Sequence, residues 1–457
     1  MKFCLMLAAT VLLGAISIEA HAQAQQPWLS DRRYGEGIGV RVGNLELHPG
    51  IAGEVGYDSN YFLRAPSEDP LSAYRLRVTP SITLSTLSPQ RIERGNGPPV
   101  KQSLMFRAGA YVSYNELIAT DSKHQSEFSE QRHLDVGSDL LLNIFPVGRV
   151  GGDGYVNFVR QGQPSNDPNT ENAFDRDSVR AGAGITWRPG GGLFDWRLGY
   201  EFLYNYFEKS SFSYLNNFQN QVNMRGRWRF LPRTALLYNG SYTWVHYPNP
   251  SAQNNGAIAN TNIGINGLIT TRLSLLAMVG WAGTFYDLKP GQSPQQFDSP
   301  TAQAELKWFI AGGADVMNPG SAPVGLSYAS IGYLRDVSNS YLGNFYQRDR
   351  GYLGLSYMLG GVFLTSLTAG IANLRFPESY FTSGEVQQQA FSEQRVDASV
   401  FGEYRFGSSF GVNATLNYDR NITDVAVKTS DDPMYADVRD ALAYQRWQVF
   451  VGARWFL

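Results

Sequence analysis

The 457-residue sequence contains one cysteine and, beyond its N-terminus, no long apolar run. That cysteine, Cys4, lies in a segment that resembles a secretory signal, in which Lys2 precedes an apolar run and Ala20-His21-Ala22 fits a cleavage site. Cleavage would start the mature chain near Gln23 without cysteine, which excludes disulfide frameworks, thiol nucleophiles and cysteine-bound metals. Because later apolar runs are shorter than about 18 residues, a helical membrane span is excluded too.

Charge is also scarce. Charged residues make up 17% of the chain, against roughly 25% in an ordinary soluble domain. The net charge of −2 provides no basic surface, so nucleic acid is not an expected partner. Aromatic residues reach 13%, which is too many for a disordered chain.

What the sequence does contain is strict alternation of polar and apolar residues in segments of about ten, from Leu45 to the last residue. In Gln221–Leu231 the odd positions are polar and the even positions are apolar, and Tyr74–Leu84, Phe194–Tyr206 and Arg395–Phe406 behave alike. A period of two predicts β-strands with one polar and one apolar face. A soluble sandwich would alternate as well, so further features must decide.

Three features favour a membrane barrel. The chain ends in a strand, and tight turns alternate with long polar loops. The apolar faces carry aromatic residues at both strand ends, as membrane interfaces require. One expected girdle consists of Trp187, Trp196, Trp228, Trp308 and Trp455, and the other of Tyr57, Tyr114, Tyr204, Tyr206 and Tyr418.

We therefore predict an all-β fold, a transmembrane antiparallel up-and-down β-barrel of about eighteen strands, with sixteen as the alternative. The expected organisation is a signal peptide over residues 1–22, a periplasmic leader over 23–44 and the barrel over 45–457. Tight turns follow the even-numbered strands, which places the turns and both chain ends in the periplasm of a Gram-negative cell. Two of these connections, Ser88–Lys101 and Ala311–Ala322, are longer. Each is interpreted either as an extended turn or as a surface for a partner.

The charged faces must point inward, because an Arg or Lys facing the bilayer midplane costs about 2–4 kcal/mol. A barrel this wide leaves a polar lumen that side chains cannot fill. The guanidinium groups would lower the barrier for anionic solutes, acidic sugars included, or would pair with carboxylates and stiffen the wall, and the two roles are compatible. The pore-lining candidates are Arg75, Arg77, Arg107, Arg180, Arg197, Arg225, Arg227, Arg229, Arg350, Arg395, Arg405, Arg446, Arg454, Glu201, Glu305 and Glu403.

The last strand carries a candidate assembly signal. Gly452, Trp455 and Leu457 are similar to the pattern read by the outer-membrane barrel assembly machinery, a glycine followed by alternating bulky apolar residues. The strand departs from that pattern in ending on Leu and in placing Phe450 where a polar residue is common.

Catalysis has little support. Only His133 has carboxylates nearby on its face, Asp135 and Asp139, and no serine nucleophile or metal-ligand spacing accompanies it. We predict no catalytic residue, no metal and no cofactor. Replacement of His133 by Ala is expected to leave activity intact.

The segment LELHPGIAGEVGYDSNYF, from Leu45 to Phe62, resembles the opening strand of the family called beta-barrel porin 2, in which a strand runs into a Gly-Tyr-Asp-x-Asn turn. Here that turn is Gly56–Asn60. Members of that family are often associated with exopolysaccharide and capsule genes. The resemblance implies passive passage of a polysaccharide across the outer membrane, with a periplasmic polysaccharide export protein and an inner-membrane copolymerase as partners.

Two other functions stay open at the level of sequence. One is a general or anion-leaning diffusion porin, marked by an inward-folded constriction loop. The other is a structural or adhesive barrel that binds through long surface loops such as Tyr247–Ala259 and Asp419–Ala443.

Overall fold

The structure is a computed structural model that describes residues 37–87, 103–163, 174–249, 254–288, 292, 296–311, 327–340, 342–380, 385–428 and 439–457. The predicted signal peptide and most of the predicted leader lie outside the described residues. So do the connection Ser88–Lys101 and all of Ala311–Ala322 after its first residue.

In the described chain, eighteen antiparallel strands form one closed barrel, which confirms the predicted fold class and strand count. Each strand pairs with its neighbours in sequence, and β18 pairs with β1 to close the sheet. The strands are β1 (Leu45–Asp58), β2 (Ala73–Thr86), β3 (Leu104–Ala119), β4 (His133–Ile144), β5 (Val150–Gln163), β6 (Phe174–Trp187), β7 (Phe194–Phe207), β8 (Asn217–Leu231), β9 (Thr234–His246), β10 (Gly256–Leu268), β11 (Leu273–Tyr286), β12 (Asp298–Ala311), β13 (Ser327–Asn339), β14 (Phe345–Leu359), β15 (Phe363–Phe376), β16 (Phe391–Arg405), β17 (Phe410–Ile422) and β18 (Tyr444–Phe456).

The alternation in the sequence becomes two faces of the barrel wall. On β1, Ile51 and Val55 are exposed on the outside, whereas Glu54 and Asp58 are buried on the inside. Because paired residues in a sheet share a face, the register carries this assignment around all eighteen strands. The outer face is apolar and exposed, as a surface in contact with lipid requires.

The two ends of the barrel differ. At one end, which we call the turn end, the described connections after even-numbered strands are short, such as 232–233 and 360–362. At the opposite loop end the connections are longer. The predicted loops 247–259 and 419–443 are shorter than expected, because β10 begins at Gly256 and β17 continues to Ile422. None of the described helical segments is long and apolar enough to cross a bilayer.

The aromatic girdles occupy the two ends as predicted. Trp187, Trp228, Trp308 and Trp455 are exposed at the turn end, and Trp196 stacks on Phe194 beside them. At the loop end, ring pairs form between Tyr57 and Tyr74, at 5.9 Å, and between Tyr418 and Trp447, at 4.3 Å.

The described part of the predicted leader is not a free segment. Val40–Val42 pairs with the start of β1 and lengthens the wall at the turn end. The C-terminus closes the sheet beside it, since the Leu457 amide donates to the Pro49 carbonyl at 3.1 Å and the Leu457 carbonyl lies 3.0 Å from Nδ1 of His48.

Candidate functional site in the barrel lumen

The register places all thirteen predicted arginines and the three predicted glutamates on the inner face of the wall. Most of these arginines form ion pairs, as the wall-stiffening interpretation requires. The pairs are Arg75 and Arg446 with Asp58, Arg77 with Glu54, Arg107 with Asp139, Arg180 with Glu201, Arg197 with Asp153, Arg227 with Asp195, Arg350 with Asp397, Arg395 with Glu393, and Arg405 and Arg454 with Glu403. Glu305 pairs with Lys307, at 3.1 Å, and not with an arginine.

The most deeply buried pairs lie where β18 meets β1, a region we call the seam. Asp58 is fully buried and accepts hydrogen bonds from Nε of Arg446, at 2.9 Å, and from Gln448, at 2.8 Å. Arg75 lies 3.5 Å from the same carboxylate and also donates to Asn115. A carboxylate with this many donors is a fixed structural element of the wall.

A second buried ion pair lies in the seam, nearer the turn end. Glu54 binds Arg77 at 3.1 Å, and the guanidinium of Arg77 lies 4.0 Å from the centroid of the Phe450 ring. The inward Phe450, which departs from the expected polar pattern of the last strand, is therefore a cation–π partner. A side chain at Gly452 would overlap Glu54, so this glycine makes room for the buried carboxylate.

Each residue of the motif Gly56–Asn60 has a distinct environment at the seam. Gly56 leaves space for the Phe450 ring, Tyr57 faces outward, and Asp58 binds the arginines. Ser59 exchanges hydrogen bonds with the backbone of Trp447, at 2.7 Å and 2.9 Å. Asn60 donates to the carbonyls of Arg64 and Gln445 and thereby fixes the loop that follows.

That loop, residues 59–72, folds into the lumen at the loop end. Tyr61 and Phe62 pack with Phe128 on Leu117 and Ala73, two buried residues on the inner face of the wall. We call this group the loop cap.

The loop cap adjoins the buried ion pairs of the seam. Tyr61 covers Arg75, with 5.6 Å from the guanidinium to its ring, and its burial raises the pKa of its phenol. On the outer side of the cap, a hydrogen bond from the His124 imidazole lowers the pKa of Glu127, which also binds Arg64 at 3.1 Å. The loop cap explains why the seam residues are buried inside an otherwise wide barrel.

Across the lumen from the seam, the wall formed by β5–β8 is more open. Arg197 crosses over Gly184 to reach Asp153 on the second strand away, with contacts of 2.8 Å and 2.6 Å. Arg227 pairs with Asp195. The side chains of Arg225 and Arg229 form no ion pair within the described chain, and the register places Arg225 directly opposite Arg197.

Two tyrosines lie flat against the inner surface of the barrel wall. Each covers a glycine on the neighbouring strand and reaches a glutamate on the strand beyond it. Tyr155 on β5 covers Gly182 on β6 and donates to Glu201 on β7. Tyr352 on β14 covers Gly332 on β13 and donates to Glu305 on β12, at 3.2 Å. In both, the middle glycine lets the ring lie against the wall, which leaves a half-buried aromatic surface beside a carboxylate.

Between these two tyrosines lies a part of the wall without charge. Strands β9, β10 and β11 contain no Asp, Glu, Lys or Arg on either face. We call their inner face the neutral sector. Its half-buried polar side chains are Asn239, Ser241, Thr243, Asn260, Asn262 and Asn266. Contacts to neighbouring strands, such as Gln221 with Thr243 at 2.8 Å and Thr301 with Asn262 at 2.7 Å, use only part of their hydrogen-bonding capacity.

The contacts of His133, the histidine considered for catalysis, are structural. His133 lies 3.5 Å from Asp135, and its Nδ1 lies 2.8 Å from the carbonyl of Gln131. Asp135 accepts further hydrogen bonds from Asn115, at 2.9 Å, and from the Gly162 amide, at 3.1 Å. These contacts hold strands β3–β5 together.

Sequence reasoning missed three parts of this lumen. Asp58 and Glu54 were not candidates, although their inward positions on an alternating strand would have identified them. Tyr155 was not a candidate either, although it too occupies an inward position on an alternating strand. The neutral sector is visible in the sequence as three successive strands without charge.

Comparison of the sequence with protein-family models finds no match, and comparison with curated proteins finds none either. Solved structures match in overall shape. The siderophore receptor PiuA from Acinetobacter baumannii is 10% identical, with a TM-score of 0.45 over 92% of this chain and 82% of that one. OccK5 (OpdH) from Pseudomonas aeruginosa is 9% identical, with a TM-score of 0.42 over 90% of this chain and 98% of that one. These values are too low to support an argument about function.

Proposed function

We propose that this chain is an outer-membrane channel through which a polysaccharide reaches the cell surface. The observation that carries the proposal is the neutral sector, an uncharged inner surface on which the amides and hydroxyls of β9 and β10 are interspersed with apolar side chains such as Leu237, Ile258 and Met278. Asn, Ser and Thr side chains donate and accept hydrogen bonds as sugar hydroxyls do. On such a surface, sugar hydroxyls can replace bound water with little change in free energy, and no single sugar residue is bound tightly.

The two wall-lying tyrosines support the same proposal. Tyr155 and Tyr352 lie on opposite sides of the neutral sector, with three and two strands in between, and each presents a half-buried ring next to a glutamate that a cation contacts. An apolar ring beside carboxylates and amides suits a sugar, which has apolar faces and polar edges.

In this proposal the turn end faces the periplasm and the loop end faces outside. The outer face contacts membrane lipid, and the barrel assembly machinery inserts the chain after removal of the signal peptide. A periplasmic polysaccharide export protein and an inner-membrane copolymerase, the partners implied by the family resemblance, would deliver the polymer. The chain itself supplies the conduit and needs no catalytic residue.

A diffusion porin is the second candidate, and the loop cap favours it. Inward-folded loops narrow a pore for small solutes, and here Tyr61, Phe62 and Phe128 fold over the seam. The cap covers the seam side, however, and leaves the neutral sector on the other side of the lumen.

The test is a clean deletion strain in which cell-surface polysaccharide and uptake of small solutes are both measured. We expect surface polysaccharide to disappear on deletion and to return with the wild-type gene. The variant N239L/N262L removes two amides of the neutral sector at similar volume, and it should restore export only partly. The same change in the charged wall, N157L, should restore export fully.

Heat-modifiable mobility on gels must show that both variants fold. Unchanged surface polysaccharide together with reduced uptake of small solutes would overturn the proposal in favour of the diffusion porin.

A further inference from the structure

Two of the predicted pore-lining arginines form no ion pair within the described residues. Arg225 and Arg229 lie at alternate positions on the inner face of β8, with Arg227 between them. Of these three, only Arg227 forms an ion pair in the part of the chain that the structure describes, and its partner is Asp195. Three arginines thus alternate along one strand, with Cα atoms about 7 Å apart and a single described ion pair among them.

The arrangement is unfavourable for the barrel alone. Arg225 lies opposite Arg197 on β7, and Arg197 is already engaged by Asp153 and Asn223. Like charges directly opposite each other destabilise a sheet. On its other side Arg225 faces Asn239, the first amide of the neutral sector. Two cations thus remain half-buried at the edge of the surface that we assign to the polymer.

The position along the pore is informative too. Strand β8 runs from the loop end at Asn217 to the turn end at Leu231, so the arginines lie in the half nearer the turn end. In the proposed orientation this is where a polymer from the periplasm enters. Positive charge at the entrance raises the local concentration of anionic groups there.

We infer that the polymer is acidic, with carboxylate, sulfate or phosphate groups along its length that contact Arg225 and Arg229 while the sugar hydroxyls contact the neutral sector. This inference rests on the proposed function. The guanidinium fork binds such anions through two hydrogen bonds, and exposure to water in the lumen keeps each contact weak enough to be released. Other inner-face arginines are committed to carboxylates and contribute less.

The experiment measures current blockage by sugars in the purified full-length protein, reconstituted in planar bilayers. The probes are an oligogalacturonate, which is acidic, and a maltooligosaccharide of equal length, which is neutral. Wild type should bind the acidic oligomer about tenfold more tightly than the neutral one, and added salt should weaken that preference. The variant R225Q/R229Q should lose the preference.

Two controls separate charge from fold. The variant D195N/R227Q removes the neighbouring ion pair without changing net charge, and it should alter acidic binding less than about twofold. The variant R225K/R229K keeps both charges and should retain part of the preference, which would exclude misfolding as the cause of its loss.

The outcomes distinguish the inference from the function on which it rests. Equal binding of both oligosaccharides, unchanged in R225Q/R229Q, would overturn the acidic polymer and leave the polysaccharide conduit standing. Conduction of small ions with no blockage by either oligosaccharide would overturn both.

Discussion

Asp58 is a buried carboxylate in the lumen. Its negative charge lies against the positive charges of two arginines. Replacement by asparagine keeps the size and removes the carboxylate that both Arg75 and Arg446 contact. We expect D58N to destabilise the barrel by about 3–5 kcal/mol, because an uncompensated buried charge is costly. Thermal unfolding in detergent, followed by circular dichroism, measures the loss.

The matched control for D58N is D139N. Asp139 also binds an inner-face arginine, Arg107, at 3.1 Å, but its side chain is 35% exposed. Water screens that pair, so its loss should cost about 1 kcal/mol or less. Equal effects of D58N and D139N would contradict the view that burial under the loop cap makes the seam pairs important.

Gly332 determines whether Tyr352 can lie against the wall. A methyl group at this position would overlap the Tyr352 ring and push it into the lumen, away from Glu305. We expect G332A to cost about 1–3 kcal/mol. Gly351, the residue next to Tyr352, has no atom within 4 Å of an added Cβ. G351A should therefore leave unfolding unchanged, and a loss as large as that of G332A would disprove the role of the close contact.

At the scale of a single strand, β18 has two roles that can be separated. Its outward Trp455 belongs to the turn-end girdle, and it is also part of the proposed assembly signal. Trp308, in the middle of the sheet on β12, has similar exposure, 49% against 43%. We expect W455A to lower the fraction of heat-modifiable protein in the outer membrane, whereas W308A should assemble normally. Equal losses would mean that only interfacial packing matters.

The strands were predictable because a wall between lipid and water imposes a period of two on every segment. Trp187 and Tyr57 could be assigned to opposite girdles for the same reason. The partners of the charged residues could not, since they depend on register. Arg197 reaches past Gly184 to Asp153, two strands and 44 positions away in the chain. Nothing in the local pattern around Arg197 distinguishes it from Arg225, which has no such partner.

The loop cap also lay beyond the sequence pattern. Tyr61, Phe62 and Phe128 are ordinary apolar residues in connections, where alternation ends and gives no direction. These rings pack on Leu117 and Ala73, apolar residues of the inner face that would otherwise be exposed at the loop end. That match between a loop and a distant strand becomes visible only when the barrel is closed.

The whole molecule thus has a lumen of unequal halves. The seam side holds buried ion pairs beneath the loop cap. The side from β5 to β14 carries the flat tyrosines, the neutral sector and the two arginines that form no ion pair within the described chain. Each arginine on the seam side has a carboxylate within ion-pair distance, so these pairs stiffen the closure of the barrel. The other side keeps its polar groups available to whatever passes.

This division predicts how the conductance of the whole channel responds to loosening the cap. The variant F62A/F128A removes two of the rings that hold loop 59–72 against Leu117, so the loop should spend time outside the lumen and single-channel conductance in planar bilayers should rise. The control Y57A/Y74A removes a ring pair of similar size from the outer face at the same end, and it should leave conductance unchanged. Unchanged conductance in F62A/F128A would place the ion path wholly along the neutral sector and would remove the cap from any account of permeation.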